Sequence, residues 1–153
     1  DAITLITLLH LRDIADKANH RIPVVSEMLD IKNRALAEVT RADDFIVSDK
    51  LVSLMLSQIS ENKELNLVFA DLFSSEGSEI YLKPATQYVT PNVPVTFSTV
   101  VVAAARRGES ALGFKLAAQS GDASKSYGVV VNPEKSESVT FGPNDKIIVL
   151  AED

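Results

Sequence analysis

The stretch that decides the fold is SDKLVSLMLSQISENKELNLVFADLFSSEGSEIYLKP, residues 48–84. It holds two apolar-periodic segments, a short polar break, an acidic turn and an alternating run. After Ser48, which is suited to cap a helix, Leu51, Leu54, Met55 and Ile59 recur at helical spacing with Val52 beside them. SENKE interrupts the pattern, and from Glu64 a second helix is predicted with Leu65, Val68, Phe69, Leu72 and Phe73 on one face. Two short helices so joined form an αα-hairpin or helix-turn-helix. Each fully buried Leu or Phe is worth roughly 1.5–3 kcal/mol, and these helices carry more such surface than a hairpin can hide against itself. Leu51, Leu54, Met55, Leu65, Val68, Phe69 and Leu72 are therefore expected to face a partner chain, a sheet or a second lobe.

Downstream, Gly77 sits between Glu76 and Glu79, where a helix stops and a strand begins. The bland reading is a terminating turn in which glycine accepts positive φ and the glutamates stay solvated. The functional reading is a hinge at Gly77 with an acidic cation site beside it. SEIYLKP alternates as a strand ending at Pro84, and TPNVP is a loop. Thr96 is expected to cap a helix whose inner face is Phe97, Val100, Val101 and Ala104, with Arg106 and Arg107 in the last turn and Gly108 ending it. SALGFKLAA, YGVVVNP and SVTFGPNDKIIVLAE supply further strands, with turns at Asn132-Pro133 and Gly142-Pro143. Residues 78–153 thus read as a small α+β lobe of four or five strands and one helix.

Upstream, residues 3–18 read as a helix with a broad apolar face, and Asp1 suits the positive end of its dipole. RIPVVSEML and DDFIVS read as strands flanking a short helix over 35–38 that Asn33 would cap. Helix-strand alternation predicts a parallel α/β lobe over residues 1–77. Two strands do not close such a lobe, so the sheet is expected to be completed by residues upstream or by another chain. The absence of an initial Met supports a piece of something longer.

Composition narrows the chemistry. The chain has 153 residues, 46% hydrophobic and 24% charged, an ordinary globular balance. A net charge of −6 opposes nucleic-acid binding, which needs clustered Lys and Arg. Cysteine is absent, so disulfides and thiolate metal sites are excluded. His10 and His20 lack the spacing of ligands on one helical face. No G-x-S-x-G elbow or G-x-G-x-x-G loop occurs, and the first glycine is Gly77. Carboxylates remain: Asp43, Asp44, Glu76 and Glu79 are candidate ligands for a hard cation such as calcium, without the spacing of a calcium loop.

In this order, PVVSEMLDIKNRALAEV (23–39), IVSDKLVSLMLSQISENKELNLVFADLFSSEGSEIYLKPATQYV (46–89) and VVVNPEKSESVTFGPNDKIIVLAED (129–153) resemble the cytosolic region of CASTOR/POLLUX-type ion channels. These are relatives of the RCK (regulator of potassium conductance) and TrkA-like gating domains. The resemblance implies the C-terminal part of a Rossmann-like RCK N-lobe with a helix-turn-helix crossover over 1–77, then an RCK C-lobe over 78–153. It further implies ligand sensing and subunit assembly in the gating ring of a cation channel, as a dimer within a tetramer attached to its own pore domain, on the cytoplasmic side of a membrane. Calcium is the ligand it suggests, and it assigns no enzymatic role. The competing expectation is a fragment of a nucleotide-dependent oxidoreductase whose glycine-rich loop lies upstream.

Overall fold

The computed structural model describes residues 1–19, 24–30, 33, 44–74 and 76–152. They divide into two compact units, Asp1–Asn66 and Leu67–Asp153, each described by itself below. Gly77 lies inside the second.

In the first unit, helix α1 spans Ala2–Lys17. It buries Leu8 and Ala15, and Leu8 packs with Met28, Leu5 and Val24. Ile3, Ile6, Leu9, Leu11 and Ile14 stay exposed, so the broad apolar face is only partly used. Asp1 does more than face the helix dipole: its carboxylate accepts from the Leu29 and Asp30 amides at 2.9 and 3.1 Å and from the Asn33 side-chain amide. Strands β1 (Val25–Met28) and β2 (Asp44–Val47) pair in parallel, Val25 opposite Asp44 and Met28 opposite Val47. The predicted parallel arrangement is present, while the short helix expected over 35–38 lies outside the described residues. Helix α2 (Ser48–Glu61) follows β2 without a loop. Ser48 is its first residue, and the Ser48 hydroxyl donates to the Glu27 carboxylate at 2.5 Å, pinning the start of α2 to β1. Asn62 makes the break: its side-chain oxygen accepts from the Glu64 amide at 3.0 Å and its carbonyl from the Leu65 amide at 3.1 Å. Helix α3 then runs Leu65–Leu72, across the division between the units.

The second unit is an antiparallel sheet covered on one face by a helix. Its strands are β3 (Glu79–Pro84), β5 (Ser110–Lys115), β6 (Val129–Val131) and β8 (Lys146–Ala151), in the order β3-β8-β5-β6. A separate ribbon pairs β4 (Pro94–Thr96) with β7 (Ser138–Thr140). Helix α4 (Phe97–Ala105) buries Phe97, Val100 and Ala104, three of the four positions predicted for its inner face. Thr96 precedes the helix without a side-chain bond to its backbone, and its hydroxyl instead lies 3.2 Å from that of Thr99. Ile147, Val149 and Ala151 of β8 meet the helix across Phe114 and Phe141, whose rings stand edge-to-face at 5.4 Å.

One close approach shapes this sheet. Between Ala111 and Gly113 the β5–β8 register shifts by one residue. A Cβ on Gly113 would lie 2.1 Å from the Val130 carbonyl oxygen, so only glycine lets β6 come this near. The polar stretch 119–126 lies between β5 and β6 with short 3-10 segments at Ala117–Gln119 and Ala123–Gly128, the second broken by left-handed Ser126 and Tyr127. The Asp122 carboxylate accepts from the Ser124 amide and hydroxyl at 3.0 and 2.6 Å, which anchors the second of them.

Candidate functional site

The residues nominated for assembly are open to solvent. Neither α2 nor α3 buries a side chain. Leu51, Leu54 and Val68 are 44%, 55% and 55% exposed, while Met55, Leu65, Phe69 and Leu72 are half-buried. Val52, Leu56, Leu67 and Phe73 add exposed apolar surface, and the Phe69 and Phe73 rings stack at 6.3 Å. At ~25 cal/mol per Å² of apolar surface, so many half-exposed aliphatic side chains leave several kcal/mol of burial unrealised in a lone chain.

Gly77 has φ +89°, and nothing lies within 4 Å of where its Cβ would stand. The position therefore requires glycine for backbone reasons and not for packing. Ser74 supports the turn by accepting from the Glu76 amide at 3.0 Å. Glu76 is exposed, and the Glu79 carboxylate accepts from the Tyr81 hydroxyl at 3.1 Å. Asp43 lies outside the described residues, and of Asp44 only the backbone is described. Among the described residues no three acidic or imidazole groups converge on a metal-sized space. Glu76 and Glu79 alone fall short of the six to eight oxygens calcium takes. His10 is exposed on α1, and His20 lies outside the described residues.

A buried polar cluster was not evident from sequence. Glu109, at the head of β5, is 9% exposed. Its carboxylate accepts from Lys83 at 3.0 Å and from the Tyr88 hydroxyl at 2.5 Å, with Arg107 at 3.5 Å. Burial pushes the Glu109 carboxyl upward, but the Tyr88 and Lys83 hydrogen bonds and the Lys83 and Arg107 charges outweigh it, leaving it below the usual range. Burial first, then the bond to Glu109 and its charge, raise the Tyr88 phenol against the opposing Arg107, so Tyr88 remains a donor. Arg107 also lies over the Tyr88 ring, 5.3 Å from its centre. The partners come from positions 83, 88, 107 and 109, with no spacing signature to reveal them. They join β3, the segment after it and the end of α4. Beside this cluster lies an open cleft of about 410 Å³, lined by Tyr88, Ser98, Thr99, Val102, Ala103 and Arg106.

Asp145, in the Gly142-Pro143 turn, is a second buried carboxylate, 8% exposed. One oxygen accepts from the Ala117 amide and the other from the Gly142 amide, both at 2.7 Å. Its own carbonyl accepts from the Ala85 amide at 2.9 Å. Every bond here goes to backbone, so the residue fastens three chain segments and offers nothing to a ligand.

Among the described residues, no helix is long and apolar enough to cross a membrane. No family model matches the chain. Curated relatives do: 136 residues, 88% of the chain, are 32% identical to the probable ion channel SYM8 of Pisum sativum, of which they cover 14%. The same span is 31% identical to the probable ion channel POLLUX of Arabidopsis thaliana, covering 16% of it. The chain therefore spans about one-seventh of the length of these relatives. Among solved structures, 99% of the chain aligns with 28% of the GsuK RCK domain at 15% identity and a TM-score of 0.37, a likeness too loose to carry an argument. By sequence, the chain is related over nearly nine-tenths of its length to one segment of the ion channels named POLLUX and CASTOR.

Proposed function

We propose that this chain is a cytosolic regulatory module of a CASTOR/POLLUX-like cation channel, an RCK-type gating-ring domain that senses a ligand and assembles subunits. The observation that carries the reading is the exposed apolar surface of α2 and α3, on a chain whose curated relatives are ion channels. Assembly through Leu51, Leu54, Met55, Leu65, Val68, Phe69 and Leu72 would cover that surface in a homodimer within a tetrameric ring. The ring would sit on the cytoplasmic side of the membrane, attached to the pore domain of the same protein. The module has no catalytic role in this reading. The oxidoreductase alternative is not favoured, because the curated relatives are ion channels.

Light scattering over a concentration series tests assembly. The native chain is expected to reach a multiple of its monomer mass. Leu54→Glu with Val68→Glu is expected to weaken association at least ~10-fold, with unfolding free energy held within ~0.5 kcal/mol because both sites are exposed. A native chain that stays monomeric throughout overturns the reading. Gly77 is the proposed hinge between the lobes 1–77 and 78–153. A cation role for Asp43, Asp44, Glu76 and Glu79 has charge in its favour and no geometric support among the described residues. Calcium titration by calorimetry decides it: no heat and no thermal shift at millimolar calcium removes it, since a ligand of the native state must raise stability.

A further inference from the structure

The first five residues of strand β3, ahead of its terminal Pro84, read Glu79-Ile80-Tyr81-Leu82-Lys83, and this stretch complements itself when reversed. An acid at one end answers a base at the other, two aliphatic residues flank the centre, and Tyr81 is the midpoint. The strand ends its sheet, with β8 as its strand neighbour among the described residues. Ile80 and Leu82 stand on the face away from α4, opposite Leu150 and Ile148, and are 43% and 45% exposed. Glu79 and Lys83 lie on the other face, opposite Ala151 and Ile147.

Charged residues on an edge strand ordinarily block pairing with another strand. Here their signs are placed so that a two-fold axis turns the block into a match. We propose that β3 is a self-pairing edge that joins the four-stranded sheets of two copies of this chain into one continuous antiparallel sheet. With the axis normal to the sheet and midway between the two Tyr81 residues, Glu79 meets Lys83 of the second copy and Ile80 meets Leu82, each pair twice. A slip of two residues sets Glu79 or Lys83 against Tyr81 and loses the ion pairs. A slip of one sets inward side chains against outward ones. Lys83 keeps its bond to Glu109 in this arrangement, because an ammonium has three donors. The outer apolar face carrying Ile80, Leu82, Leu150 and the 66%-exposed Val131 would continue across the axis. This surface is separate from α2 and α3, so it stands or falls independently of assembly through those helices.

The chain has no cysteine, which makes engineered cross-linking unambiguous. The full chain carrying Leu54→Glu and Val68→Glu, which disables the helical faces, is prepared with either Ile80→Cys or Leu82→Cys. Directly opposed residues have Cα atoms about 4.5–5.5 Å apart, inside the disulfide range, while diagonal ones at about 7–8 Å fall outside it. Under mild oxidation the mixture of the two variants is expected to cross-link at least ~10-fold more than either alone. No cross-link in the mixture, or equal cross-linking in all three samples, overturns the proposal. In the same background without cysteines, Glu79→Lys sets like charges opposite and is expected to weaken self-association ~10-fold in sedimentation equilibrium. Unchanged association would equally overturn it.

Discussion

Replacing Asp145 with Ala removes the acceptor of two 2.7 Å bonds from the Ala117 and Gly142 amides, while the Ala85 amide keeps its bond to the residue 145 carbonyl. Hydrogen bonds to a charged acceptor are worth about 1.5–3 kcal/mol each, and Asp145 is 8% exposed, so water replaces them poorly. The two together predict a loss of roughly 3–6 kcal/mol, a large share of the 5–15 kcal/mol typical of a domain. Asp145→Asn keeps one acceptor oxygen but turns an amide group toward the other N–H. About half the loss, roughly 1.5–3 kcal/mol, is expected to remain. Urea unfolding followed by circular dichroism measures both variants, with an unchanged m-value as the control for a similar unfolded state. A loss under ~1 kcal/mol for Ala, or a larger loss for Asn than for Ala, would refute the assignment of Asp145 as the fastener of these segments.

Three further outcomes follow from single positions. Gly113→Ala places a Cβ 2.1 Å from the Val130 oxygen, a backbone atom that moves only with β6. It should cost at least ~2 kcal/mol and abolish slow amide exchange in Val129–Val131, read by hydrogen exchange. Gly77→Ala meets no atom, so only the left-handed backbone is penalised, and ~1 kcal/mol should be lost in thermal unfolding. Glu109 has a folded-state pKa below its unfolded value, so its stabilisation is fully present above the ordinary carboxylate value of ~4.3 and is lost as pH falls through the lower folded value. Glu109→Gln should cost about 1–3 kcal/mol at pH 7 and flatten that acid limb in a pH series of unfolding free energies.

How much was legible follows from the range of each signal. The helical periodicities of residues 3–18, 51–59 and 65–73 and the alternation of SEIYLKP are local, and the helices and strand form within three residues of those limits. The parallel pairing of β1 with β2 was also legible from element order alone. The Glu109 cluster was not, because Lys83, Tyr88 and Arg107 reach it only after β3, β8 and β5 are in register. Asp145 was visible only as a turn residue, since its partners at Ala117 and Ala85 are distant in sequence. Asp1 shows the same limit: proximity to the helix start suggested a dipole role, while its carboxylate is occupied by Leu29, Asp30 and Asn33. The apolar helices were read as needing a cover from helical spacing alone, and in the lone chain Leu51, Leu54 and Val68 stand exposed.

The β8 strand has a consequence beyond packing. Lys146–Ala151 carries aliphatic side chains on both faces, Ile147 and Val149 inward and Ile148 and Leu150 outward. Such a hexapeptide, free of proline and glycine, has the makings of a steric zipper once released from its neighbours. Asp145, Lys146 and Glu152 stand at its ends as gatekeepers. Damage that frees this strand should therefore drive precipitation before refolding can occur, and variants of the second unit will betray themselves first by turbidity on heating.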